Sequence, residues 1–337
     1  MRFATYNVEW FANLFDQSDE LIMDDGPSGR EGVSRAEQTE ALGKVFTALD
    51  ADAIMVIEAP NTGRHQNGMR ALEHFAKAFD LRQRRALIGF ANETHQEIAL
   101  LYDPDALSVR HDPQGEETGK KGSAGAPRFD GVFRIDLDND GTEDLVTFSK
   151  PPLELAVKTA AGTELRLIGA HLKSKAPHGE SSAEGMMRAS IANRRKQLAQ
   201  AIWLRRRIDA CRDAGMPVIL MGDLNDGPGL DEFEDLFGRS SVEILLGEDM
   251  VDPNAHKALQ SHAQSFPTTS RFFLPGQGRY LHALLDYIMV SQELMSRRPA
   301  WRIWHPFEDE TCYAMTELRE ALLTASDHFP VTLEIEI

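Results

Sequence analysis

Pro217-Val218-Ile219-Leu220-Met221-Gly222-Asp223-Leu224-Asn225-Asp226-Gly227-Pro228 is an apolar run that turns polar within a few residues. A short β-prone stretch bounded by Pro on one side and by Gly, Asp and Asn on the other reads as a buried strand running into a turn. Asp223 and Asn225 lie two apart, so extended backbone projects both to one side at the strand's end. The same shape recurs along the chain. Ala53–Ile57 is followed by Glu58, Leu165–Gly169 by Ala170 and His171, and Asp286 falls within Leu285–Val290. Ile98–Tyr102 and Val331–Ile335 are further strands, the last opened by Ser326-Asp327-His328-Phe329-Pro330, and Asn7 ends a first alternating run that starts at Arg2. Helical periodicity covers Glu37–Leu49, Gly68–Phe79 and Glu184–Asp213, the last with Ile191, Leu198 and Ile202 on one stripe. Strands and helices that mix from end to end predict one α/β layered domain over residues 1–337. Asp16–Arg35 and Arg110–Asp130 read as surface loops.

The chain has 337 residues, 42% hydrophobic and 26% charged, which is enough apolar material for a sizeable core and excludes a disordered or fibrous protein. A net charge of −17 repels polyanions at long range, so capture of duplex DNA needs positive charge gathered in one place. Glu184–Asp213 gathers it, with eight Lys or Arg against three Asp or Glu. Arg205–Arg207 read as a solvated face of that helix. Arg194 and Arg195, which follow Lys173 and Lys175 in sequence, are the candidates for binding substrate phosphate. Cys211 and Cys312 offer neither metal-ligand spacing nor a disulfide framework and suit a reducing compartment. The first residues alternate like a strand instead of forming a secretory apolar segment, and no run approaches the roughly 18 apolar residues of a membrane span. The expectation is a cytoplasmic protein with no membrane span and no protein partner implied.

The polar residues at strand margins carry the chemistry. A carboxylate placed directly after five apolar residues, as Glu58 is, must find a cation or hydrogen bonds, or its charge is costly. Singly, such residues have ordinary structural readings, because Asp and Asn make turns and a lone His is often a satisfied core group. Gathered on one scaffold, carboxylates, an amide oxygen and imidazole suit a hard divalent ion such as Mg²⁺ or Mn²⁺. His171 and His328 add proton transfer or hydrogen bonds to phosphoryl oxygens. That set supports hydrolysis of a phosphate ester.

Thr5-Tyr6-Asn7-Val8-Glu9-Trp10, Val56-Ile57-Glu58-Ala59-Pro60-Asn61, Gly169-Ala170-His171-Leu172-Lys173-Ser174-Lys175, Gly222-Asp223-Leu224-Asn225, Leu285-Asp286-Tyr287-Ile288 and Ser326-Asp327-His328-Phe329-Pro330-Val331 follow one another from residue 5 to 331. In this order the set resembles the endonuclease/exonuclease/phosphatase superfamily, the DNase I-like fold. The resemblance implies a four-layer α/β/β/α sandwich of two packed mixed sheets with outer helices and a catalytic cleft at one end of the strands. It implies that Glu58, Asn7 and Asp327 hold the metal, that Asp223 orients or deprotonates the attacking water, and that Asn225 holds a phosphoryl oxygen. Asp286 would fix His328, and His171 would contact the scissile phosphate or assist the leaving group, with Glu97 a candidate partner for it. Ala170 stands where relatives often place Asn, and Lys150, before Pro151-Pro152, where they often place Arg; Lys keeps the charge without the bidentate fork. The implied activity is that of a divalent-metal-dependent phosphodiesterase, with nucleic acid as the first substrate class. A small-molecule or lipid phosphoester is the alternative, and a non-catalytic binding protein on the same scaffold belongs to a different class.

Asp136-Leu137-Asp138-Asn139-Asp140-Gly141-Thr142-Glu143-Asp144 places carboxylates at positions 1, 3, 5 and 9 with Gly at 6, the spacing of a loop that wraps Ca²⁺. Asp136, Asp138, Asp140 and Asp144 are therefore candidate ligands of a structural calcium ion. Strand-like flanks exclude an EF-hand, and an acidic β-hairpin turning at Asp140-Gly141 is the other reading.

Overall fold

The computed structural model describes residues 1–337 apart from 93, 95, 138–140, 178–181, 228–237, 261–265 and 275–276. Apolar runs with both faces covered make strands that read as continuously hydrophobic, and here they build two six-stranded mixed sheets. The first runs β15 (Ala300–Ile303), β16 (Val331–Glu334), β1 (Arg2–Asn7), β2 (Ala53–Ala59), β4 (Glu97–Tyr102) and β3 (Arg85–Ile88). The second runs β11 (Met250–Val251), β14 (Asp286–Ser291), β10 (Val218–Asp223), β9 (Glu164–His171), β8 (Leu153–Thr159) and β5 (Leu107–His111). β1 is parallel to β2 and β9 to β10, while the other pairs are antiparallel.

The alternation of strand residues sets the layers. Met55 and Ile57 of β2 face inward and meet Leu167, Ile219, Met221 and Ile288 of the second sheet. Ile54 and Val56 face outward, against Val45 and Phe46 of α1 (Arg35–Leu49), Leu72 and Phe75 of α2 (Gly68–Ala78) and Leu322 of a later helix, Thr316–Ala325. On the far side, Ile168, Leu220 and Met289 pack on Leu198, Trp203, Leu204 and Ile208 of α3 (Ala183–Asp213) and on Leu245 of α4 (Ser241–Leu246). The result is the expected α/β/β/α sandwich. α1 begins two residues before its expected start because Ser34 and Glu37 form a reciprocal capping box.

One expectation about α3 fails. Arg207 is not on a solvated face; it is 2% exposed and donates to the carbonyls of Gln114, Ala126 and Pro127 and to Glu154 Oε2 at 2.6 Å. A guanidinium has five donors, so one buried Arg can satisfy several carbonyls of an irregular segment at once. Arg207 thereby fastens the 112–130 loop to the sheet. Arg205 is likewise tied up, by Asp209 and Asp249.

Two hairpins stand outside the sheets: β6 (Phe133–Ile135) with β7 (Asp144–Val146), and β12 (Ser270–Leu274) with β13 (Arg279–Ala283). The first has the strand flanks expected around the acidic loop. Asp138 and Asp140 of that loop lie outside the described residues, while Asp136 Oδ2 accepts from Gly141 N at 3.1 Å and Asp144 opens β7. Among the described residues no helix is long and apolar enough to cross a membrane.

Candidate active site

Strand register brings the polar residues together. Asp223 at the end of β10 is level with His171 on the parallel β9 and with Asp286 on the antiparallel β14. In the facing sheet Asn7 ends β1 beside Ile57, and the next residue, Glu58, sits in a bulge where the β2–β4 register shifts between Ile57 and Ala59. A bulge re-aims one side chain out of the ladder. Glu58 takes a left-handed φ of 60° there, a conformation costing about 1–3 kcal/mol that clusters at functional sites. These groups line a cleft of about 690 Å³, together with Asn225, Asp327 and His328.

Gly222 is dictated by the same geometry. Its φ is 139°, and a Cβ there would stand 2.0 Å from Ala170 O on the neighbouring strand. Gly222→Ala is therefore expected to destabilise the fold by about 3 kcal/mol or more, read as a fall in the urea midpoint; an unchanged midpoint contradicts the argument.

Asp223 is the hub of the hydrogen bonds. Its Oδ2 accepts from Asn7 Nδ2 at 2.9 Å, across the two sheets, and its Oδ1 accepts from Asn225 N at 2.7 Å. Burial pushes its carboxyl above the usual range, with His328 opposing and Asp286 reinforcing the rise. His328 Nδ1 lies 2.7 Å from Asp286 Oδ2, which also accepts from Thr269 Oγ1 at 2.9 Å. Burial works against charge on His328, but Asp286, Asp223 and Asp327 outweigh it and hold the imidazole well above its ordinary pKa. Ser326 Oγ donates to Asn7 O at 2.8 Å and accepts from His328 N at 3.2 Å, which joins the first and last motifs.

His171 behaves differently from expectation. Lys150 Nζ lies 3.1 Å from its Nδ1 and 3.2 Å from its Nε2, and Asp223 Oδ2 is 3.6 Å from Nε2. Burial and the Lys150 charge keep this imidazole neutral, well below its ordinary pKa. Glu97 is not its partner. The Glu97 carboxylate instead accepts from Asn92 Nδ2 at 2.7 Å and from the amides of Asn92 and Thr62 at 3.4 Å, because it projects from β4 at the bulge. Burial raises Glu97 from its ordinary 4.5 up to about 7, against those amides. A carboxyl raised on folding gives stability that is whole below about pH 4.5 and lost as pH rises through about 7. The melting temperature of Glu97→Gln minus that of the native protein is expected to grow from pH 4.5 to 8; a pH-independent difference contradicts the shift.

The cations expected to bind phosphate separate. Lys175 and Arg194 line the cleft, but both reach the fully buried Asp226, at 2.7 and 3.5 Å. Lys173 donates its backbone amide to Gln200 Oε1 at 2.9 Å, which fixes this segment on α3. Arg195 does not join the cleft; it lines a separate depression with Asp144 and Leu145 of β7. Sequence reading noted Lys150 only as a substitution, yet it faces Glu58, His171 and Asp223. Trp10 and an apolar wall from β12–β13 also line the cleft, and the two-residue alternation of Ser270–Leu274 is the signal that pointed to the wall.

The donor set fits a hard divalent cation. Asn7 Oδ1 and Asp327 Oδ1 are buried oxygens with no hydrogen-bond partner among the described residues. Glu58 beside them is raised by burial and by Asp327, with Lys150 and His328 opposing, the strain of anions gathered without a counter-ion. Asp223, Asp286 and His328 also bring ligand atoms within 4.8 Å of one another. In that trio Asp286 and His328 are bonded to each other, which leaves the unpartnered oxygens of Asn7 and Asp327, with Glu58, as the better cradle.

Two facing mixed sheets with outer helices and a polar cleft at one end of the strands define a DNase I-like sandwich. The sequence profile of the Endonuclease/Exonuclease/phosphatase family matches residues 4–328, and the chain belongs to that family. Its fold is similar to that of truncated Caenorhabditis elegans TDP2, with 14% identity, a TM-score of 0.51 and coverage of 100% of this chain and 97% of that one. It is also similar to an endonuclease/exonuclease/phosphatase family protein from Bacteroides thetaiotaomicron, with 14% identity, a TM-score of 0.53 and coverage of 99% and 93%. Likeness at this identity establishes the fold alone. No curated protein matches the chain at a significant level.

Proposed function

We propose that the protein is a divalent-metal-dependent phosphodiesterase. The observation that carries this reading is the Asp223 carboxylate, bonded to Asn7 of the opposite sheet and level with His171 and Asp286 in one cleft. Asn7, Glu58 and Asp327 would hold Mg²⁺ or Mn²⁺, which neutralises charge on the phosphoryl group when bound. Asp223, with a carboxyl raised by burial, is suited to take a proton from an attacking water, and Asn225 beside it to hold a phosphoryl oxygen. Neutral His171 and charged Lys150 together offer donors to the developing negative charge. Asp286 holds the orientation of His328, which can exchange a proton with the nucleophile or the leaving group.

Nucleic acid is the first substrate class, supported by the cations of residues 173–195 beside the cleft. A small phosphoester is the second, and one observation favours it: Asp226 engages both Lys175 and Arg194, which lowers the positive field available to a polyanion in a chain of net charge −17. The test is hydrolysis of bis-p-nitrophenyl phosphate, plasmid, single-stranded DNA, RNA and phosphoinositides, with Mg²⁺ or Mn²⁺ and again in excess EDTA. Turnover that vanishes in EDTA and returns with the ion is expected. Equal turnover in EDTA overturns the metal requirement, and inactivity on every ester overturns the reading.

A further inference from the structure

The cleft has two chemically distinct walls. Opposite the polar groups stand Phe272, Leu274, Leu281, Ala283 and Leu285. Register accounts for most of this wall: Phe272 pairs with Leu281 and Ser270 with Ala283, so alternate residues of β12 and β13 present one face. The other face carries Arg271, Phe273, Tyr280 and His282. None of the five wall residues belongs to the three hydrophobic core clusters, and Phe272, Leu274 and Leu281 remain only half-buried. This apolar surface therefore does not serve to build the core. It is also pre-formed: Arg271 N donates to Asp327 O at 2.8 Å, Phe329 N to Thr269 O at 2.6 Å, and the Arg271 guanidinium lies 3.3 Å above the Tyr280 ring. Phe272 meets the His328 ring edge-on at 5.4 Å, which puts the wall beside the groups that would act on the phosphate.

Resting on the phosphodiesterase reading, we propose that this wall is a specificity subsite, and that the preferred substrate is a phosphoester carrying an apolar, ring-sized substituent. A phosphate held among Asn225, Lys150 and the metal cradle leaves its ester substituent facing the wall. A 690 Å³ cleft has room for both, because small-molecule sites span about 300–1,000 Å³. A small polar or methyl ester would leave the wall wet and forfeit the burial of a ring.

The test is calorimetric titration of benzylphosphonate and methylphosphonate in millimolar Mg²⁺, with the native protein and with Leu274→Asn/Leu281→Asn. The native protein is expected to bind the benzyl probe about tenfold more tightly or better, and the double variant to reduce that ratio to within about twofold, its melting curve reporting that it is folded. Equal affinity in the native protein, failure of the benzyl probe to bind, or a ratio that survives in the variant overturns the subsite. Turnover of bis-p-nitrophenyl phosphate, measured alongside, separates the two claims. Turnover without selectivity removes the subsite and leaves the phosphodiesterase; selectivity without turnover does the reverse.

Discussion

His328→Ala is expected to lower kcat on a phosphodiester by about 10²–10⁴-fold, the range of a positioned acid–base group. The effect is large because nothing nearby replaces the ring: His171 is neutral, and Asp286 is turned toward His328 at 2.7 Å. Asp286→Asn tests the same pair without removing the imidazole. Losing the carboxylate that holds His328 charged lowers the pKa of the ring, so one limb of the kcat/KM profile moves to lower pH. Movement of the alkaline limb means that His328 works charged, as an acid, and movement of the acid limb that it works neutral, as a base. A His328→Ala protein that stays folded and turns over within tenfold of the native rate rules out the role.

Glu58→Gln is the second large effect. Substituting an amide keeps the shape at the bulge and removes a full negative charge from the cradle, and activity in Mg²⁺ is expected to fall by about 10³-fold. Stability moves the other way. The Glu58 carboxyl is raised by burial and by Asp327, so its charge costs the folded state free energy at neutral pH. In EDTA at pH 8 the variant is expected to melt higher than the native protein, while the rise in melting temperature that Mg²⁺ gives the native protein shrinks. A variant that is active, or that is stabilised by Mg²⁺ as much as the native chain, contradicts the assignment. The two readouts together mark a site kept at the expense of stability.

Much of this was legible in the residues. The strand-end groups Asn7, Glu58, His171, Asp223, Asp286 and His328 stand out because polar atoms interrupt apolar runs, and a strand's direction carries them to one edge. Side-chain partners were harder, since they depend on distances between segments remote in sequence. Arg207 looks like part of an exposed basic run until the 112–130 loop folds back and offers it carbonyls. His171 meets Lys150 across two adjacent strands, where Glu97 seemed equally available from its place before a strand. Lys175 and Arg194 read as steering charges because their shared partner, Asp226, looks in sequence like one more turn residue of the Asp-Gly-Pro stretch. The apolar wall of β12–β13 was overlooked because a hairpin outside both sheets resembles an ordinary strand pair until its register shows which residues share a face.

The place of β16 has a consequence for biosynthesis. β16 lies between β15 and β1, so the strand that carries Asn7 lacks one of its two neighbours until residues 331–334 have been made. The cleft also draws on residue 7 and on residue 328. A nascent chain emerges N-terminal end first, so ribosome-bound fragments ending before Asp327 possess neither the last cradle carboxylate nor His328. The hydrolytic centre is assembled only at the close of translation, and incomplete chains in the cell carry the fold's beginnings without its chemistry.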